Sequence, residues 1–308
     1  MKKTRLADRP LTQFFFFGNY FYGLCTVGLS IEAGLQQKAS LNSPAYYFLV
    51  FCATVLYYTQ AYIATDTPQV PYNARSLWYS THSKTVAYNR AVLALLCAFC
   101  ALLYLTKLSS PEILMSGRSC FFHSAFILAA LFYYGTGKGI LKQISLRNIG
   151  WLKPFIIGFV WAGMVTVYPV LFSAAEKGHD YSPDFFSALL FVKNMMFIAV
   201  LCIMFDIKDY AMDYNKRLKT FVVNIGLRKT IFYIIIPLSM LGLTSFLIFA
   251  VIRGFSIPKI LLNVLPFAGI VAVAYSLQSR RSIFYYLFII DGLMLLKACC
   301  GSIAMVFF

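Results

Sequence analysis

The residues best suited to chemistry stand together in one short stretch of the chain. Asp206, Asp209 and Asp213 are three of only 11 acidic residues, and they directly follow an apolar segment. In an α-helix this spacing puts all three carboxylates within a sector of about 60°. Carboxylate oxygens are the hard ligands that Mg²⁺ takes, particularly when substrate phosphates complete its shell. The stretch therefore predicts a magnesium site.

Basic and hydroxyl side chains follow the three carboxylates. Lys219 and Thr220 come a few residues later, and Gly226 follows them. Acidic and basic groups in one loop suit an anionic ligand that is bound through a metal ion. The alternative is a solvated acidic face paired with nearby cations, namely Lys208, Lys216 and Arg217.

The composition shows which elements must position these residues. The chain has 308 residues, of which 60% are hydrophobic and 12% charged, and its mean hydropathy is +0.72. Soluble domains carry about 25% charged residues, and the 8 cysteines are scattered over too long a chain for a disulfide scaffold. These values exclude a soluble, disordered or disulfide-bonded protein and predict an all-α polytopic membrane protein.

Nine apolar segments are long enough to cross a bilayer, which takes about 20 residues each. The predicted spans are residues 12–30, 44–65, 87–106, 119–137, 152–174, 185–205, 229–252, 259–277 and 282–307. The loops between them are short, so we expect one membrane domain over residues 1–308.

The basic residues predict the orientation of these spans. The net charge is +16, and most Lys and Arg outside the spans lie at the N-terminus or in the loops after even-numbered spans. By the positive-inside rule these parts are cytoplasmic and the C-terminus is outside. Because topology accounts for the basic excess, we expect no nucleic-acid partner.

Several polar residues fall inside the predicted spans, where lipid would penalise them. They are Asn19, Lys193, Asn194, Asp291 and Lys297. We expect them to face the interior of the helix bundle or to snorkel to an interface. For the two lysines, snorkelling or simple packing is the alternative to a functional role.

The pattern Asp206-x-x-Asp209-x-x-x-Asp213, followed by Lys219-Thr220 and Gly226, resembles the second Asp-rich region of the UbiA superfamily of intramembrane prenyltransferases. Nine spans with an inward N-terminus are also similar to that family, over nearly the whole chain. The resemblance implies nine helices around a central cavity that opens to lipid. It also implies Mg²⁺-dependent transfer of a prenyl group from an isoprenyl diphosphate to a hydrophobic acceptor, commonly an aromatic or quinone-precursor ring.

The resemblance also implies roles for single residues. The three aspartates would be the metal-binding and catalytic carboxylates. The cations that would contact the diphosphate are Lys153, which resembles the family's basic residue at the start of span 5, Lys219 and Arg75. For Arg75 the alternative is a topological anchor on the cytoplasmic side.

The first Asp-rich motif of the family is largely missing. In residues 57–68 only Asp66 is acidic, and Gln60 stands where an Asn is expected. Either metal binding relies on the second region, or catalysis has been lost and the protein binds lipid or acts as a membrane scaffold. A transporter is a third interpretation, although the chain lacks paired Gly- or Pro-broken spans in corresponding halves.

Overall fold

The computed structural model describes residues 9–65, 74–134, 149–178, 183–215 and 217–308, and within them it contains helices and no strand. Six helices in this part of the chain are long and apolar enough to cross a membrane, or seven if one bent pair counts as a single span. The protein is therefore an integral membrane protein. The count of nine spans is not confirmed, although predicted spans 44–65 and 119–137 coincide with helices Pro44–Thr65 and Gly117–Tyr134.

The residues group into two compact units, Met1–Gly28 with Asn42–Leu108 and Leu29–Leu41 with Ser109–Phe308. The single membrane domain stays a prediction. The helices of the first unit are α1 (Pro10–Phe17), α2 (Tyr20–Gln36, which continues into the second unit), α3 (Pro44–Thr65), α4 (Ala74–Thr81) and α5 (Ser83–Leu105). Helices α3 and α5 pack together around Cys52, Val55 and Leu93.

Helices α1 and α2 form the bent pair, with an angle of 56° between them. The sequence predicts a span over residues 12–30, and the structure divides this segment into two helices. The chain breaks at Asn19, whose φ of 68° lies in the left-handed region. Asparagine tolerates this conformation better than most residues, so the break is local in origin.

The second unit contains the remaining helices. They are α6 (Glu112–Met115), α7 (Gly117–Tyr134), α8 (Lys153–Ala162), α9 (Tyr168–Lys177), α10 (Phe185–Lys208), α11 (Tyr210–Asn215), α12 (Phe221–Ile225), α13 (Leu227–Thr230), α14 (Ile236–Ile252), α15 (Ile257–Ser276), α16 (Ile283–Tyr285) and α17 (Gly292–Phe307). Helix α10 packs against α8 and α14, and half of its residues are buried. It is thus the central helix of this unit.

Three spans of the second unit contain a wider π-helical turn, at Gly163–Val167, Ile231–Ile235 and Tyr286–Ile290. Pro169 and Pro237 come two residues after the first and second of these turns. A proline lacks the N–H for the helical hydrogen bond and its ring crowds the carbonyl four residues earlier. The wider turn therefore lets both spans continue past a proline instead of ending there.

Candidate functional site

Asp206 and Lys153 form an ion pair at one end of helices α10 and α8. The Lys153 Nζ lies 2.5 Å from the Asp206 Oδ1, and the Asp206 side chain is 1% exposed. Gly158 lets α8 and α10 pack closely, because a Cβ atom there would lie 2.6 Å from the backbone oxygen of Met195 on α10. The close contact between the two helices brings together a cation and a carboxylate that the sequence places 53 residues apart.

Asp206 and Thr220 each have a buried side-chain oxygen with no hydrogen-bond partner among the described residues. Asp206 Oδ2 and Thr220 Oγ1 are buried, and neither makes a hydrogen bond to a residue in the described part of the chain. A buried polar atom without a partner costs about 1–3 kcal/mol. A buried carboxylate oxygen is a hard ligand of the type that Mg²⁺ takes, so Asp206 fits the predicted role in chemistry and placement.

The other two aspartates occupy different local positions. Asp209 ends α10, with φ −91° and ψ 6°, and its carboxylate pairs with Lys208 at 2.7 Å. Asp213 lies in the next helix, α11, and is buried. The spacing predicts that the three carboxylates share one face of a continuous helix. They do not, because the helix ends at Asp209. Aspartate competes with the backbone for hydrogen bonds, which favours a helix end at Asp209.

The side chains of the described residues do not by themselves form a metal-binding site. No three His, Cys, Asp or Glu residues there come close enough together to hold a metal ion. The assignment of Asp206, Asp209 and Asp213 as magnesium ligands stays a prediction. Asp66 and Lys216, which the sequence also singles out, lie outside the described residues.

The loop with Lys219 lies next to the start of α8. A Cβ atom on Gly150 would lie 2.6 Å from the backbone of Lys219 and from that of Thr220, so this position has room only for glycine. The Lys219 side chain is exposed and Thr220 is buried. The structure thus places the Lys219 backbone against Gly150, three residues before Lys153. The diphosphate-binding role of Lys219 stays a prediction.

Arg75 lies in the first unit, on α4, and is 7% exposed. Its guanidinium donates hydrogen bonds to the Phe17 backbone oxygen at 3.2 Å and to Asn19 Oδ1. Tyr79 donates to the same Phe17 oxygen at 3.0 Å, and Asn19 Nδ2 donates to the Tyr79 hydroxyl. Arg75 therefore stabilises the break between α1 and α2, and its diphosphate-binding role stays a prediction.

A second charged cluster lies inside the spans of the second unit, and sequence reasoning missed its central residue. Glu32 is fully buried, and its Oε1 accepts a hydrogen bond from Lys193 at 3.1 Å. Lys297 donates to its Oε2. Gln36 accepts from Lys193 at 2.6 Å and donates to Asn263 Oδ1 at 2.8 Å. Neither lysine snorkels, because both have a buried partner.

The signal for Glu32 in the sequence is weak. Glu32 lies just beyond the predicted first span, 12–30, so the span prediction does not place it in the membrane. The helix that contains it extends to Gln36. Lys193 and Lys297 inside apolar segments are a signal that could point to a buried carboxylate partner, but they do not identify which one.

Asp291 lies near the Asp206 end of α10. Phe205 contacts Tyr286 with a ring-centroid distance of 5.6 Å, which places the Tyr286–Ile290 π turn against α10. Asp291 directly follows that turn and is buried, and Asp206, Lys153 and Asp291 are electrostatic neighbours of Cys202. The buried position of Asp291 agrees with the expectation that it faces the bundle interior.

Comparison with known proteins identifies a similar fold but no similar sequence. No protein-family model matches the chain, and no curated protein matches it in sequence. A solved structure from a study of the biosynthesis of digeranylgeranylglyceryl phosphate synthase in membranes is similar to it, with a TM-score of 0.55 and 13% identity. The match covers 96% of this chain and 98% of that chain. That protein is a prenyltransferase of the UbiA superfamily, so the chain is an all-α membrane protein with a UbiA-type fold, as the sequence predicts.

Proposed function

We propose that the protein transfers a prenyl group from an isoprenyl diphosphate to a hydrophobic acceptor within the membrane, with Mg²⁺ as cofactor. The observation that carries the proposal is the Lys153–Asp206 ion pair, in a chain whose fold is that of a membrane prenyltransferase. Its carboxylate is buried, and the second oxygen, Asp206 Oδ2, makes no hydrogen bond to a described residue. A cation beside an acidic oxygen at a helix end suits a diphosphate bound through a metal ion. We expect an aromatic or quinone-precursor acceptor.

Each functional residue near the Lys153–Asp206 pair would have a distinct role. Asp206, Asp209 and Asp213 would hold Mg²⁺, which when bound supplies positive charge against the diphosphate oxygens. Lys153 would donate a hydrogen bond to an oxygen of the departing diphosphate. The ion pair with Asp206 would hold the Lys153 ammonium group in position. Lys219 is exposed and close enough to the start of α8 to contact the same group.

The reaction itself would be an alkylation. The bond between the allylic carbon and the diphosphate oxygen breaks, and both electrons leave with the diphosphate. An electron-rich atom of the acceptor forms the new bond to the allylic carbon, and the acceptor's proton passes to water. The apolar helices of the bundle exclude water from the reacting carbon.

The orientation belongs to the same proposal. With the N-terminus in the cytoplasm, the Asp206 end of α10 faces the cytoplasm, where water-soluble Mg²⁺ and the diphosphate product can exchange. The excess of Lys and Arg in the loops on that side supports this orientation.

A second candidate is a catalytically impaired protein of this fold that binds lipid or acts as a scaffold. The first Asp-rich region favours it, because Asp66 is the only acidic residue in 57–68. The buried hydrogen bonds of Arg75 favour it as well, since they commit that cation to the helix break.

Binding of a radiolabelled isoprenyl diphosphate to the purified protein in nanodiscs separates the two candidates. We expect binding that needs Mg²⁺, is removed by EDTA, and is followed by release of diphosphate. Asp206→Asn and Lys153→Met should each weaken binding at least tenfold, because each removes a charge from the site.

Asp184→Asn is the matched control. Asp184 begins the same helix and is half exposed, so the substitution keeps the cap but lies at the opposite end. It should leave binding unchanged. Binding that is equal in the wild type, Asp206→Asn and EDTA-treated protein would contradict the magnesium site, and Mg²⁺-dependent binding without diphosphate release would favour the impaired protein.

A further inference from the structure

A lateral groove lies between α3 and α5 in the first unit. It has a volume of about 580 Å³, within the range of ligand-binding cavities. All of its lining residues belong to the first unit, chiefly Leu56, Tyr57 and Gln60 of α3 and Ala87, Arg90 and Ala91 of α5.

The walls of the groove are mostly apolar, and its α5 side is lined mainly by alanines. Ala87, Ala91 and Ala94 recur at helical spacing along one face of α5, so small side chains leave a channel beside the neighbouring helix. Helix α5 is also the candidate span with the smallest buried share, 17%. Its exposed side chains are large and apolar, such as Leu95 and Leu102, which is typical of contact with lipid tails.

Arg90 gives the groove a charged end. No hydrogen bond or ion pair joins its guanidinium to another residue in the described part of the chain. Side chains of a helix lean toward its N-terminus, and Arg90 lies only about 10 Å into α5, at 1.5 Å per residue. Its charge can therefore reach the level of the lipid headgroups. Lys84 lies on the same face as Ala87 and Ala91 and is exposed.

We propose that this groove binds an anionic phospholipid, with the phosphate on Arg90 and Lys84 and one acyl chain along the alanine face. Charge complementarity selects this occupant, because a zwitterionic lipid has its own ammonium to neutralise its phosphate. Basic pockets between membrane helices bind anionic headgroups in this way.

Native mass spectrometry in detergent tests the proposal, with the full chain titrated with dioleoyl phosphatidylglycerol or dioleoyl phosphatidylcholine. We expect one phosphatidylglycerol to bind in clear preference to phosphatidylcholine. Arg90→Gln removes the charge and keeps a polar side chain, and it should reduce that preference about fivefold. Lys107→Gln removes an exposed cation beyond the other end of α5 and should leave the preference unchanged.

A second pair of variants tests the groove rather than the charge. Ala91→Phe fills the channel and should abolish the bound phosphatidylglycerol, whereas Ala98→Phe, on the same helix but outside the groove, should not. All four positions are at the surface, so the variants should fold, and size-exclusion chromatography checks this.

Two results would overturn the proposal. One is a phosphatidylglycerol preference that is unchanged in both Arg90→Gln and Ala91→Phe. The other is one-for-one displacement of phosphatidylglycerol by farnesyl diphosphate without Mg²⁺, which would assign the groove to the prenyl donor.

Discussion

Glu32 and Lys297 form a buried ion pair between helices α2 and α17, although 265 residues separate them in the sequence. Lys193 from α10 donates to the other oxygen of the same carboxylate. One carboxylate thus joins three membrane helices. The spans next to it are apolar, so a charge left alone at this point would have neither water nor a counter-ion.

We predict that Glu32→Gln destabilises the protein strongly. The substitution leaves Lys193 and Lys297 without their carboxylate, and removing one partner of a buried ion pair costs about 3–5 kcal/mol. Thermal unfolding in detergent, followed by circular dichroism, measures the loss. Adding Lys297→Met to Glu32→Gln should recover part of it, because the second change removes one uncompensated charge. A single variant as stable as the wild type would contradict the ionic role.

We predict that Arg75→Gln and Tyr79→Phe both weaken the break between α1 and α2. Each removes a donor to the Phe17 backbone oxygen, and a lost hydrogen bond to a buried acceptor costs about 1–3 kcal/mol. Limited proteolysis near Gly18 and the midpoint of thermal unfolding report the effect.

The affinity for isoprenyl diphosphate separates the structural role of Arg75 from the binding role. If Arg75 contacts the diphosphate, Arg75→Gln loses affinity while Tyr79→Phe keeps it. If Arg75 acts through the helix break, the two variants change affinity and stability in parallel.

Gly150→Ala should lower diphosphate affinity more than it lowers stability. The added methyl group would lie 2.6 Å from the backbone of Lys219 and of Thr220, so this loop must move away from the start of α8. Binding of labelled isoprenyl diphosphate with Mg²⁺, beside a thermal unfolding curve, gives both quantities. Gly117→Ala is the control, since a Cβ atom there meets nothing within 4 Å; equal loss of affinity in both variants would contradict the prediction.

The apolar segments predicted most of the helices well because burial in lipid is a property of local composition. The predicted spans 185–205 and 259–277 match Phe185–Lys208 and Ile257–Ser276 closely. The break at Asn19 was not predicted, because Phe14–Phe17 reads as the continuous start of a span and the stabilising Arg75 lies 56 residues away.

The candidate site was predicted less completely than the fold. Lys153 and Asp206 were both singled out, and the structure pairs them. Glu32 was missed because a single sequence contains no information on which of several distant lysines a carboxylate contacts. The prediction of one continuous helix through Asp213 was wrong. Periodicity indicates where side chains lie around a helix, but not where the helix ends.

The three π turns affect how this chain can be aligned with others. Such a turn contains one residue more than the α-helix it interrupts, and each residue rotates a helix by about 100°. Deleting one residue from Tyr286–Ile290, which no proline follows, would therefore restore an ordinary helix and keep the faces of α16 and α17 in register. The same deletion in the middle of α10 would rotate Asp206 away from Lys153. Single-residue gaps between this chain and proteins of the same fold are thus expected at the π turns and not in α10.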